Sequence, residues 1–283
     1  MNNTFSINCR GKLMSFSAPV VMGIVNITPD SFFSGSRYQT EDAIKSRIEE
    51  IILQGGTIAD LGGFSTRPGA NDVSEQEELD RICRAVVAAR DVSKDILISI
   101  DSFRPKVVEE AIGKLGADII NDISGGLMGE DIFKSAAKLQ APYILMHTRG
   151  TTIQEMQQKA EYDNISKDIF RFFAEKIARL REYGVNDIII DPGFGFAKDI
   201  EQNYELLAHL DLMKSLDLPM LVGVSRKRMI RQLLDSKADD CVNGTTIINT
   251  IALQKGAHIL RVHDVREAMD TIKICQKLAT YEQ

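Results

Sequence analysis

Apolar residues along this chain come in short runs, each ended by a polar residue and followed by a stretch with helical periodicity. Val20-Val21-Met22-Gly23-Ile24-Val25 is the first such run, and it ends at Asn26. Its lack of alternation is what a strand buried on both faces shows. Further runs predict strands over 57–61, 96–100, 119–120, 143–146, 188–190, 218–223 and 258–262. Between them, apolar spacing predicts helices over 41–53, 75–92, 104–115, 131–139, 166–183, through the 230s, 244–254 and 265–278. Gly55-Gly56, Gly116 and Gly184 read as helix stops, and Ser74-x-x-Glu77 as a capping box. Ahead of these units, residues 5–17 predict a hairpin turning at Arg10-Gly11-Lys12, within an N-terminal segment 1–18.

Strands alternating with helices imply parallel pairing through right-handed crossovers. Eight such units with uniformly apolar strands favour an α/β fold of the closed (β/α)₈ TIM-barrel type over an open doubly wound sheet. The 283 residues fit that barrel as a single domain over 1–283. No G-x-G-x-x-G follows the first strand, which argues against a dinucleotide site.

Charge narrows the partners. A net charge of −6 argues against a nucleic-acid binder, so an anionic ligand needs local cations that overcome the overall field. Cys9, Cys83, Cys241 and Cys275 are scattered with no C-x-x-C pair, as expected of reduced thiols in a cytoplasmic protein. The sequence predicts neither a signal peptide nor a membrane-spanning segment.

A barrel does its chemistry at the C-terminal ends of its strands. Those ends carry Asn26, the Thr66-Arg67 loop, Asp101, Asn121, His147, Asp191, Ser225-Arg226-Lys227 and Arg261-Val262-His263. Singly, each has an ordinary structural explanation: Asp191 before Pro192 suits a turn, and Lys227 suits a solvated helix end. Their recurrence at nearly every strand end is what points to one site. Asp101, Asn121 and Asp191 supply acceptors and an amide, suited to a flat heterocycle with an amidine-like N–C–N edge. Arg67, Lys227, Arg261 and His263 form a cationic set, and the spacing of Arg261 and His263 aims both the same way. Lys227 and Arg261 follow the seventh and eighth strands, a frequent phosphate position in barrels. Asn26 and Asp30 offer oxygen ligands for Mg²⁺.

With these residues in place, the chain resembles the dihydropteroate synthase family from end to end. The matching stretches are Gly23-Ile24-Val25-Asn26-Ile27-Thr28-Pro29-Asp30-Ser31-Phe32, Gly62-Gly63-Phe64-Ser65-Thr66-Arg67-Pro68-Gly69, Ile100-Asp101, Ile120-Asn121-Asp122-Ile123-Ser124-Gly125, Asp191-Pro192-Gly193-Phe194-Gly195-Phe196, Gly223-Val224-Ser225-Arg226-Lys227 and Arg261-Val262-His263-Asp264-Val265. The resemblance implies condensation of (7,8-dihydropterin-6-yl)methyl diphosphate with p-aminobenzoate, giving 7,8-dihydropteroate and pyrophosphate, with Mg²⁺ as cofactor and a homodimer as the assembly. It implies that Asp101, Asn121, Asp191 and Lys227 hold the pterin, with Met146 and Phe196 as apolar walls and Arg261 over the ring. Asn26, Thr66, Arg67, Arg261 and His263 would hold the diphosphate, with Asn26 on the metal. Ser225 at a helix start, together with Phe32 and Pro68, would receive p-aminobenzoate. Asp30, Arg67, Lys227, Arg261 and His263 would carry the chemistry.

Two departures accompany the resemblance. Ser34 stands near where the family commonly has an Asp, leaving Asp30 as the nearby acid, and the fifth strand is followed by His147-Thr148-Arg149-Gly150-Thr151-Thr152, where a Met and a Pro are more usual in the family. A pterin-dependent methyltransferase would share the barrel and the Asp/Asn set. It would not need Ser-Thr-Arg-Pro-Gly, Ser-Arg-Lys or Arg-Val-His. A pterin-binding relative without turnover is a third reading, to which only Ser34 leans.

Overall fold

The computed structural model describes residues 4–27, 40–64 and 73–281. Two strands, β1 (Phe5–Cys9) and β2 (Lys12–Phe16), pair antiparallel. Their turn places Arg10 and Gly11 at φ 52° and 77°, the left-handed pair that a tight hairpin needs. The main body then runs β3 (Val20–Asn26), α1 (Glu41–Leu53), β4 (Ile58–Gly62), α2 (Glu75–Val92), β5 (Leu97–Asp101) and α3 (Pro105–Gly113). It continues through β6 (Ile119–Asp122), α4 (Asp131–Leu139), β7 (Tyr143–Met146), α5 (Ile153–Gln157), α6 (Ile165–Tyr183), β8 (Ile188–Asp191) and α7 (Ile200–Ala208). The last elements are β9 (Leu221–Val222), α8 (Arg228–Leu233), α9 (Val242–Gln254), β10 (Ile259–Val262) and α10 (Val265–Ala279).

The eight strands of the main sheet lie in the order β8-β7-β6-β5-β4-β3-β10-β9. All of its strand pairs are parallel. A bridge from Ile190 to Met220, with Ile190 N–H donating to Pro219 O at 2.9 Å, brings β8 round to β9. The sheet is thereby almost closed, and the fold is a (β/α)₈ barrel with an added N-terminal hairpin.

Strand parity explains the interior. Met22, Ile58, Leu97, Ile119, Ile144, Ile189, Leu221 and Ile259 form one buried apolar layer inside the barrel, with Phe5 and Ile7 of the hairpin against it. The alternate residues, among them Val25, Leu61, Ile100, Ile120 and Leu260, face the helices in a second cluster. Moving two positions up a strand keeps the same face. Above Ile58 comes Asp60; above Leu97, Ser99 and then Asp101. In the same way Asn121, Met146, Asp191 and Arg261 stand over Ile119, Ile144, Ile189 and Ile259. An apolar floor thus carries a polar storey at the C-terminal mouth.

The hairpin closes the other end. Asn8 N–H donates to Asp187 Oδ1 at 3.1 Å, and Arg10 Nε to Asp118 Oδ1 at 2.6 Å. Asp118, fully buried, also accepts from Arg90 Nη2 at 2.5 Å and from Ile98 N–H at 2.7 Å. Among the described residues, no helix is long and apolar enough to cross a membrane.

The elements depart from the sequence pattern in four places, and one is the helix predicted through the 230s, which ends at Leu233 before a short 3₁₀ turn over Ala238–Asp240. A helix at α7 and a 3₁₀ stretch over Leu210–Leu216 occupy a segment with no predicted element, and α5 is likewise added. The start of α7 is nevertheless written in the chain: Asp199 and Gln202 form a complete capping box. The predicted strand over 218–223 shrinks to Leu221–Val222, because Pro219 has no N–H to donate and Met220 makes only an isolated bridge.

Candidate active site

The polar storey is a connected network. Asp60, at 0% exposure, accepts from Arg261 Nε at 2.6 Å and from Asn121 Nδ2 at 3.2 Å to each of its oxygens. Arg261 Nη2 continues to Asp101 Oδ2 at 2.7 Å. The ends of β4, β5, β6 and β10 are therefore joined through one guanidinium flanked by two carboxylates. Burial works against the charge on Arg261, but Asp60 and Asp101 outweigh it and raise its pKa. For Asp101, burial pushes the pKa up to about 7, with Arg261 opposing and Asp60 reinforcing the rise.

Across the mouth, Asp191 ends β8 and accepts from Gly193 N–H at 2.8 Å. Burial raises its pKa, and the nearby Lys227 charge holds the rise back. Burial in turn pushes Lys227 down to about 8, against the pull of Asp191. Lys227 donates to Phe194 O and lies 4.8 Å from the centre of the Phe196 ring. Met146, 2% exposed, supplies an apolar surface from β7.

At the ends of β9 and β10, Ser225 Oγ lies 3.0 Å from His263 Nδ1 and accepts from His263 N–H at 3.2 Å. This corrects one expectation. The helix after Ser225 begins only at Arg228, with Lys227 as its N-cap, so Ser225 sits in a turn rather than at a helix start. The turn passes through Arg226 at φ 57°, whose guanidinium is held by Asp264 at 2.6 and 3.1 Å. At the end of β3, Asn26 Oδ1 and Asp101 Oδ2 each lie 3.7 Å from where a Cβ on Gly62 would stand. Two oxygens converge over a glycine whose missing side chain leaves the space open.

Asp101, Asn121, Asp191, Lys227, Met146, Phe196, Arg261, Ser225, His263 and Asn26 all stand at the mouth named for them by the strand ends. Asp30, Phe32, Ser34, Thr66, Arg67 and Pro68 lie outside the described residues. Two residues were not foreseen. Asp60 was read as part of an apolar strand, although a lone carboxylate inside 57–61 was itself the signal. Lys198 is the other: 3% exposed, its Nζ is 3.0 Å from each of His147 Nδ1, Gly193 O and Phe196 O.

Carboxylates and an amide at the ends of β5, β6 and β8 thus share the mouth with the Arg261 guanidinium and the Lys227 ammonium. This fold and mouth are those of a pterin-binding barrel enzyme, and a profile of the pterin-binding enzyme family matches residues 22–263. The dihydropteroate synthase of Escherichia coli K12 is 41% identical over 270 residues, 94% of each chain. The crystal structure of Yersinia pestis dihydropteroate synthase with a sulfonamide drug complex superimposes with a TM-score of 0.91 at 40% identity. It covers 98% of this chain and 99% of that one. The Xanthomonas albilineans dihydropteroate synthase with 4-aminobenzoic acid gives 0.87 at 34% identity, over 98% of both chains. The chain belongs to the dihydropteroate synthase family, a family of transferases.

Proposed function

We propose that the mouth condenses (7,8-dihydropterin-6-yl)methyl diphosphate with p-aminobenzoate, releasing pyrophosphate and 7,8-dihydropteroate for folate synthesis. The observation that carries this is the pairing of two recognition sets in one barrel: the Asp191–Asn121 acceptors and amide, and the Arg261–His263 cations beside them. Asp191 accepts the paired N–H groups of the pterin edge, and Asn121 and Asp101 engage the rest of its polar rim. Lys227, Met146 and Phe196 bound its faces, with Arg261 over the ring and reaching the diphosphate. Asn26, Thr66, Arg67 and His263 complete the diphosphate site. Ser225, with Phe32 and Pro68, receives p-aminobenzoate, a ligand that the Xanthomonas relative carries in its structure.

An aromatic amine is neutral at pH 7, so no strong general base is needed, and the electron-rich dihydropterin stabilises positive charge at its exocyclic CH₂. What remains is the charge gathering on the departing pyrophosphate, which Lys227, Arg261, His263 and Arg67 offset electrostatically. Asp30 is the acid assigned to offset the developing cation. Mg²⁺ fits this donor set: it binds through one or two protein oxygens and completes its shell with phosphate and water. The Asn26 oxygen, beside Asp101 Oδ2 over Gly62, would be the protein ligand that holds it. Bound there, the metal neutralises diphosphate charge. A homodimer, a cytoplasmic location and one domain over 1–283 belong to the same proposal. The four free cysteines support a reducing compartment.

The test is purified protein with both substrates and Mg²⁺. Pyrophosphate and dihydropteroate should accumulate one to one; pyrophosphate alone, or neither, would end the proposal.

Two predictions belong to this site. Asp191→Asn should weaken binding of a phosphate-free pterin by roughly 1.5–3 kcal/mol, the scale of a hydrogen bond to a charged group. Because burial raises the Asp191 pKa, the ionised acceptor is lost on acidification at a higher pH than for an ordinary carboxylate. Wild-type affinity should therefore fall as pH drops through that raised value, and calorimetric titrations should show the limb vanish in Asp191→Asn. The sign for folding is opposite: the proton bound by folded Asp191 favours the native state at low pH. That contribution is lost as pH rises through the raised pKa. Second, His263→Ala should weaken pyrophosphate binding about tenfold while leaving a phosphate-free pterin unaffected. Equal losses for both ligands would remove His263 from the diphosphate.

A further inference from the structure

The turn after β8 is built from backbone that side chains rarely adopt. Gly193, Gly195 and Ala197 have φ 70°, 79° and 50°. A Cβ on Gly193 would stand 2.0 Å from His147 O, so the turn is pressed against the end of β7. Such a conformation persists only where its surroundings over-determine it. Here Gly195 N–H is held by Asn203 Oδ1 at 2.7 Å, and the carbonyls of Gly193 and Phe196 both point at Lys198 Nζ.

An ammonium has three donors. On Lys198 all three have an acceptor at 3.0 Å: two carbonyls of the turn and His147 Nδ1. With the ammonium donating, the third contact has the His147 ring neutral with its proton on Nε2. Burial, with the charges of Lys198 and Arg149, drives its pKa well down and so favours the neutral ring. Phe172 packs edge-on against the ring at 4.9 Å and keeps the group dry. Among the described residues no carboxylate is within ion-pair distance of Lys198, and burial lowers its pKa to about 7 although Asp191 favours the charge. A cation this buried is costly unless its hydrogen bonds hold something that matters.

What they hold is the segment bearing the pterin-facing groups: Asp191 at its start, bonded to Gly193 N–H, and Phe196, against which Lys227 lies. We propose that Lys198, with His147 as its acceptor, is a positioning residue for the pterin. Its ammonium fixes the 193–196 turn so that the Asp191 carboxylate and the Phe196 ring meet the heterocycle together. This rests on the reading of the mouth as a pterin site. It gives His147, at the end of β7, a definite task.

The experiment compares wild type with Lys198→Met, which keeps the stem and removes the three donors. Titration with a phosphate-free pterin should show affinity reduced about tenfold or more, the scale of a hydrogen bond from a charged donor. Pyrophosphate binding should be unchanged, and the KM for the pterin diphosphate should rise while that for p-aminobenzoate holds. Undiminished pterin affinity in the folded variant, or equal losses for every ligand, overturns the proposal. Should Lys198→Met fail to fold, His147→Phe decides instead, since it keeps a flat ring and removes only the acceptor. Selective loss of pterin affinity supports the role; unchanged affinity ends it. A wild-type chain that binds no pterin would instead defeat the reading of the mouth itself.

Discussion

Arg261→Ala is expected to lower kcat/KM by on the order of a thousandfold, the upper scale for removing one preorganised charge-stabilising group. Arg261 joins both halves of the proposed chemistry. Its Nε and Nη2 are fixed by Asp60 and Asp101 at 2.6 and 2.7 Å, so the guanidinium costs no reorganisation when a diphosphate arrives. Removing it also leaves two carboxylates facing each other without their shared cation. Asp101, already raised to about 7 by burial against that cation's pull, would rise further and become a poorer acceptor for the pterin. Arg261→Lys should recover only part of the loss, because a point charge cannot bridge two carboxylates as a fork does. Steady-state pyrophosphate release measures both variants, and a loss below tenfold in Arg261→Ala would remove Arg261 from the reacting centre.

Asp60→Ala should destabilise the fold by about 3 kcal/mol, the lower end for breaking a buried ion pair. The lower end applies because Arg261 keeps Asp101 and is still 21% exposed. Asp60 itself is fully buried and also takes both contacts from the Asn121 amide, so truncation leaves two sets of donors in the barrel without acceptors. For a chain of this size that corresponds to a melting point lower by roughly 6 °C or more. Urea unfolding with an unchanged m-value would verify it, and a loss below about 1 kcal/mol would show that Arg261 and Asn121 find other partners.

The helices α1, α2 and α4 lie at the bounds their periodicity predicts, and α6 and α10 differ by one residue at one end. Each has caps or stops that act within a few residues, such as Ser74 on Glu77 N–H or Gly184 at φ 94°. The polar lining of the mouth was legible wherever a polar residue closed an apolar run, as at Asp101, Asn121 and Asp191. It was not legible where the deciding neighbour is remote in sequence. Asp60 depends on Arg261, which lies 201 positions away, and Lys198 depends on His147, 51 positions away. Neither partner can be named from local sequence, although a lone carboxylate inside the 57–61 run marks Asp60 itself. The position of Ser225 was misjudged for a related reason: the left-handed Arg226 delays the helix, and Asp264 of the following unit holds that residue in place.

The pairing of β3 with β10 also sets a schedule for the newborn chain. Val20 finds its neighbour Ile259 only after some 240 further residues have been made. At about 5–20 residues per second, that is on the order of ten to fifty seconds of translation. Through that interval one edge of β3 offers open N–H and C=O groups. Its sequence, Val-Val-Met-Gly-Ile-Val-Asn, has no charge or proline to discourage another chain from pairing there. The closure that unites the first and last strands at the mouth thus makes the ribosome-bound stage the time of greatest exposure to self-association. A holdase that covers this edge during synthesis should raise the yield of folded protein more than any surface substitution in the finished barrel.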